Sequence, residues 1–141
     1  MATLRHKHLA LIIARELASQ LATATFIADA DGDLVFYNEA AEAILGRTYA
    51  EAGPMPASEW PSLFRIENLD GTPVQFDELP GRIALAERRP AHARICIVGL
   101  DGQRRAISVT AIPLFAHPTE VVGMVAFFWE EDDRPEDGGR P

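Results

Sequence analysis

Residues 26–45 read FIADADGDLVFYNEAAEAIL, and within these twenty residues the chain spells two strands, the turn that joins them and the start of a helix. Thr25, Phe26, Ile27 and Ala28 are β-branched or apolar, and residues 34–37 return to the same character. Between them Asp29-Ala30-Asp31-Gly32 supplies side-chain acceptors and a residue that tolerates positive φ, so the segment reads as a hairpin. Asn38 precedes Glu39-Ala40-Ala41-Glu42-Ala43-Ile44-Leu45, where its side chain can accept from the free N–H groups of a new helix while two acids favour the positive end. Gly46 offers the stop. Ala41, Ile44 and Leu45 share one side of that helix, which must lay them on the strands before it.

Upstream, residues 4–22 lack Gly and Pro and place Leu9, Ile13, Leu17 and Leu21 four apart, the spacing of an amphipathic helix. Such a stripe serves either to pack the helix on its own domain or to pair it with a second copy, which makes Leu9, Ile13 and Leu17 the dimer-interface candidates. His6 and His8 are two apart, point to different sides of a helix and do not form a metal site.

Downstream, residues 49–61 carry Gly53, Pro54, Pro56 and Pro61 and cannot hold a long regular element. Trp60, Leu63, Phe64 and Ile66 then form a bulky apolar cluster, read as the edge of the core. Asp77 is expected to cap a helix that contains Pro80 in its first turn, runs through Ile83, Ala84 and Leu85, and stops before Pro90. Three strands are expected at 93–98, 104–112 and 121–129, the first two joined across Asp101-Gly102. The last is apolar on both faces and belongs in the middle of a sheet.

The order of elements and their marker residues resemble the PAS family. The resemblance rests on Asp29, Gly32, Asn38 and Gly46, then on Asp70-Gly71, Glu78-Leu79-Pro80 followed by Ala84-Leu85, Asp101-Gly102, Pro113 and Gly123, over residues 17–130. It implies an α+β fold: a five-stranded antiparallel sheet with short helices on one face, an N-terminal amphipathic helix, and a small cavity between sheet and helices. The expected organisation is a helix over 1–22, a PAS domain over 23–130 and an acidic, disordered tail over 131–141. PAS domains of larger sensors usually run into a junction and an effector. Here the last strand leads into Glu130-Glu131-Asp132-Asp133 and a short tail, so output is expected to act in trans through a partner protein.

Composition narrows the partners. The net charge of −8 argues against nucleic acid and anionic membrane surfaces, although residues 130–141 alone contribute half of it. The longest apolar run has nine residues, too few to span a bilayer. One cysteine, Cys96, excludes an intrachain disulfide and suits a reducing compartment, so the cytoplasm is the expected location.

PAS relatives sense light, oxygen, redox state or small metabolites, and others only associate. A flavin adduct needs cysteine in a helical Asn-Cys-Arg-like motif, whereas Cys96 falls in a strand, so no flavin-adduct motif is present. Haem needs an axial histidine near the helix before the third strand; only His92 lies close, and haem is not the favoured cofactor. Asp29, Glu39 and Tyr37 are explained as a turn cap, a first-turn acid and a strand aromatic, and no nucleophile–base pair is readable, so no enzymatic activity is expected. What remains is an apolar pocket for a small ligand. Phe36, Ile44, Phe64, Ile83, Ile95, Val109 and Met124 are its expected apolar lining, with Asn38 and Arg94 as polar contacts. The expected function is a sensor that binds a small apolar ligand, the alternative being a ligand-free dimerisation or protein-interaction module.

Overall fold

The structure, a computed structural model, describes residues 2–131, with side chains from Leu9 onward. The acidic segment beyond Glu131 lies outside the described residues. Helix α1 spans Ala2–Ala18, strand β1 Ala24–Asp29, strand β2 Leu34–Tyr37 and helix α2 Glu39–Leu45. Two single-turn helices follow, α3 (Tyr49–Ala52) and α4 (Trp60–Leu63), then strand β3 (Ile66–Glu67), a 3₁₀ turn (Phe76–Glu78) and helix α5 (Pro80–Glu87). Strands β4 (Ala91–Val98), β5 (Arg104–His117) and β6 (Glu120–Glu130) complete the chain.

All strands form one antiparallel sheet in the order β2-β1-β6-β5-β4-β3. It has six strands rather than five, because Ile66 and Glu67 pair with Ile97 and Cys96 on β4. A two-residue strand is too short to show alternation in the sequence. The doubly apolar β6 lies between β1 and β5 and is covered on both faces. On the inner face, α2, α4 and α5 close over Phe26, Ile95, Ile107, Val109 and Met124. On the outer face, α1 sets Leu11, Ala14 and Ala18 against Ile27, Val125 and Phe127. Gly123 permits that approach: a Cβ there would stand 2.4 Å from the carbonyl oxygen of Ala28 and 3.0 Å from Leu11 Cδ2.

The stripe read from the sequence is therefore not the face that packs. Leu9, Ile13 and Leu17 are 53%, 52% and 62% exposed, while the face carrying Leu11, Ala14 and Ala18 meets the sheet. The helix also ends earlier than residue 22. Bonds from Gln20 N to Leu17 O and from Leu21 N to Ala18 O tighten its exit into a 3₁₀ turn, and the Ala18 carbonyl also accepts from the side chain of Asn38.

Asn38 is 2% exposed, and its amide is used from both ends. Nδ2 donates to the carbonyls of Ala18 and Thr23 at 2.9 Å and of Leu21 at 3.4 Å. Oδ1 accepts from Thr25 N and, as the cap of α2, from Ala41 N, both at 3.0 Å. Gly46, in the left-handed conformation at φ 82°, closes the same helix.

Part of each edge of the sheet is taken by the chain itself. Leu34 on β2 exchanges two backbone hydrogen bonds with Met55 (2.7 and 3.2 Å), and the Tyr49 hydroxyl donates to Val35 O at 2.5 Å. At the other edge Val74 N donates to Ile66 O, and Glu67 bridges Pro73. No helix among the described residues is long and apolar enough to cross a membrane.

Replacing Asn38 by Ala removes the five hydrogen bonds of its buried carboxamide, to three carbonyls and two amides, and should lower unfolding free energy by about 2–4 kcal/mol. Asn38→Asp should recover little, since a carboxylate cannot donate to the three carbonyls. Urea titration followed by circular dichroism reads both losses; a change below about 1 kcal/mol for Asn38→Ala would contradict this assignment.

Candidate functional site

Between the inner face of the sheet and helices α2, α4 and α5 lies a cavity of about 70 Å³. Its floor is Phe26 on β1, Ile95 and Ile97 on β4, Ile107 and Val109 on β5, and Met124, Ala126 and Phe128 on β6. Its roof is Leu45, Trp60, Phe64, Leu79, Pro80 and Gly81, with Ile66 at one side. No charged or hydroxyl-bearing side chain is among these residues. The indole N–H of Trp60, the one side-chain polar hydrogen there, donates to Gly32 O at 2.9 Å. The interior offers a ligand dispersion contacts and little to hydrogen-bond.

Of the pocket residues expected from the sequence, the structure brings Phe64, Ile95, Val109 and Met124 together in this lining. Five others lie elsewhere. Strict alternation puts Phe36 on the same face as Leu34, but β2 carries a bulge. Ile27 pairs with Phe36 and Ala28 with Leu34, so Val35 is extra and Phe36 turns to the outer face. Asn38 is buried but fully engaged by backbone groups, as described above. Ile44 only borders the core; its neighbour Leu45 lines the cavity, and the Ile44 carbonyl accepts from Arg105 Nη1 at 3.2 Å. Ile83 is excluded because α5 begins at Pro80, with Leu79 rather than Asp77 as its N-cap, and buries Pro80, Gly81 and Ala84 instead. Arg94 is exposed on β4, opposite Ser108 and on the face away from the cavity.

Gly81 was not singled out by the sequence reading, and it governs how closely α5 lies on β6. A Cβ at this position would stand 2.4 Å from Met124 Cε and 3.1 Å from its Sδ. The flexible thioether thus fills the space that a side chain on α5 would take. Trp60 was read as core edge; its ring lies 4.7 Å, centroid to centroid, from Phe26 across the cavity wall.

A run of aromatic rings connects the cavity to the N-terminal helix. Phe64 in the lining meets Tyr37 edge-on at 6.2 Å, and Tyr37 meets Tyr49 at 5.4 Å. Tyr49 meets Phe36 at 5.2 Å, and the Arg15 guanidinium of α1 lies 4.6 Å over the Phe36 ring and 5.6 Å over Tyr49. Tyr37 donates its hydroxyl to Arg47 O at 2.8 Å. Burial, aided by the nearby Glu42 carboxylate, pushes its pKa up to about 12, so it remains neutral under ordinary conditions. Asp29 is also pushed up by burial, against the lowering effect of accepting from the Asp33 and Asp31 amides.

His92 lies on the exposed side of β4, with Nδ1 2.8 Å from Thr110 Oγ1. Because Ala91, Ala93 and Ile95 take the inward positions of that strand, His92 points away from the cavity and is not placed to ligate a haem there. Cys96 is a buried strand residue on β4.

The family model described as PAS fold matches residues 18–134, and the chain belongs to the PAS family. Among solved structures it is similar to the PAS domain of BvgS from Bordetella pertussis, with TM-score 0.64 and 19% identity over 88% of each chain. The PAS domain of the fruit-fly ELK potassium channel aligns with TM-score 0.65 and 10% identity, over 85% of this chain and 95% of that one. The fungal blue-light photoreceptor Vivid aligns with TM-score 0.59 and 18% identity, over 86% and 91%. At these identities the likeness is one of fold. No curated protein sequence matches the chain.

The Gly81–Met124 contact is testable by a double-mutant cycle. Gly81→Ala should destabilise by less than about 1 kcal/mol, because the Met124 thioether can turn aside and Ala is favoured over Gly in a helix, and Met124→Ala should destabilise by about 2–4 kcal/mol through lost packing. The double variant should fall short of the sum by about 1 kcal/mol or more, because the smaller residue 124 makes room for the methyl group. Strict additivity in denaturant titrations would show that the two side chains do not compete for one space.

Proposed function

We propose that this PAS domain is a signal-sensing module that holds a small apolar ligand between sheet and helices and relays occupancy to a partner protein in trans. The observation that carries this reading is the cavity itself: apolar throughout, and joined by Phe64, Tyr37, Tyr49 and Phe36 to Arg15 on α1. A ligand that favours one placement of Phe64 would bias the ring contacts beneath α1 and shift the balance between two arrangements of that helix. The module acts by binding rather than catalysis; Asp29 and Tyr37 are committed to backbone partners. Light sensing, stated of the Vivid photoreceptor, is not carried over, since the lone Cys96 is on a strand and buried. A reducing cytoplasm is the setting we assign to that free thiol.

Xenon is the simplest probe of the cavity, because it is apolar and makes no hydrogen bonds. Dissolved xenon should saturably shift the Met124 methyl resonance and the signals of Phe64 and Val109, with smaller shifts reaching Arg15. Resonances unmoved at saturating xenon pressure would remove the ligand-binding reading.

A second reading is favoured by the exposure of Leu9, Ile13 and Leu17, each more than half accessible. A second copy of the chain would cover this stripe in a homodimer, whether or not the cavity is filled. Replacing Ile13 and Leu17 together by Asp should convert a dimer to a monomer in light scattering, with the circular dichroism of the sheet preserved. An unchanged mass would exclude the helix as the dimer contact.

A further inference from the structure

The apolar cavity has a neighbour. A surface groove of about 570 Å³ runs between α4, β3 and the segment leading into α5, and two residues, Ile66 and Leu79, form walls of both spaces. Leu79 is 4% exposed and forms the joint between the 3₁₀ turn and α5, so it and Ile66 stand between the cavity and the open groove.

The two spaces are unlike in size and chemistry. The cavity has less than half the roughly 150 Å³ of an apolar cavity that admits benzene, so as it stands it takes only the end of a molecule. The groove falls within the roughly 300–1,000 Å³ of typical ligand sites, and its walls are mixed. Val74 and Phe76 give it an apolar side, Ser58 and Ser62 give it hydroxyls, and Arg65 and Glu67 give it one charge of each sign.

Arg65 is unusual there. It holds φ 47°, a left-handed conformation that a residue with a side chain adopts only at a cost relative to the ordinary helical region. Its backbone is clamped on both sides: its N–H donates to Ser62 O, and its carbonyl accepts from Val98 N, each at 3.2 Å. A glycine would meet that backbone demand more easily, and the residue present instead contributes a guanidinium to the groove. That side chain is 64% exposed, and its one ion pair among the described residues is a long contact of 3.8 Å to Glu67. Glu67 is also held by Arg104 at 3.3 Å, which leaves Arg65 available to another anion.

We propose that cavity and groove form one site for an amphiphile: an aliphatic chain whose end passes Leu79 and Ile66 into the cavity, with an anionic head, such as a carboxylate, held at Arg65 and the two serines. The inference rests on the reading that the cavity admits a ligand and names the class it takes. Leu79 yields when α5 shifts about the joint that precedes it.

Octanoate, 1-octanol and xenon separate the two readings in one methyl-resolved NMR series on the full chain. Octanoate should displace xenon from Met124 and shift Ile66 and Leu79 together. Arg65→Gln should weaken octanoate about fivefold while leaving 1-octanol and xenon unchanged. Xenon binding that octanoate does not displace, or octanoate affinity indifferent to Arg65→Gln, would overturn the amphiphile site and leave the cavity reading intact. Failure of both xenon and octanoate would overturn both.

Discussion

One buried carboxamide fixes how the pieces of this domain meet. Asn38 ends β2, starts α2, and reaches back to the exit of α1 and the entry of β1. The outer-face helix and the first inner-face helix are thereby tied through a single side chain at one end of the sheet. The site demands a donor and an acceptor at fixed separation. Asp lacks the donor, Leu lacks both, and the extra methylene of Gln moves the amide out of reach of an N-cap geometry. An amide satisfied in this way adds net stability, whereas the same amide half-satisfied in a dry interior would be costly.

The cavity follows from how closely the elements on either side of it can approach. Helix α5 presents Pro80, Gly81 and Ala84 inward, so it lies low on the sheet and leaves the remaining volume to Met124 and the aromatic rings. Small residues on the helix and large, adjustable ones beneath it make a space whose size is set by rotamers rather than by the backbone. Methionine is suited to this because its three torsions cost little to redistribute. The consequence is a compact resting state that still contains room to change.

Much of this was legible in the sequence, and the misses share a cause. The hairpin, the Asn38 cap, the Gly46 stop and the central position of β6 each depended on local chemistry, and each appears where the residues placed it. Phe36 was misplaced because a one-residue bulge reverses alternation and leaves no composition signal. Ile83 was misplaced because a helix face is defined to within one residue only when its first residue is known, and α5 starts at Pro80; on α2, whose ends were read correctly, Leu45 rather than its neighbour Ile44 reaches the cavity. Gly81 and the sixth strand are tertiary facts: one is a close approach between elements 43 positions apart, the other a pairing of two residues. The apolar period of α1 was visible, but a stripe does not say whether its own domain or another surface covers it.

The partly occupied sheet edges bear on how this protein behaves at high concentration. Met55 and the Tyr49 hydroxyl hold one margin, and residues 73 and 74 hold the other. An incoming strand therefore finds part of each row of amides and carbonyls already taken, which shortens the template on which fibrillar stacking could propagate. Self-association through the exposed stripe on α1 would proceed face to face, through side chains. Such contacts can be mutated one residue at a time without unravelling the sheet.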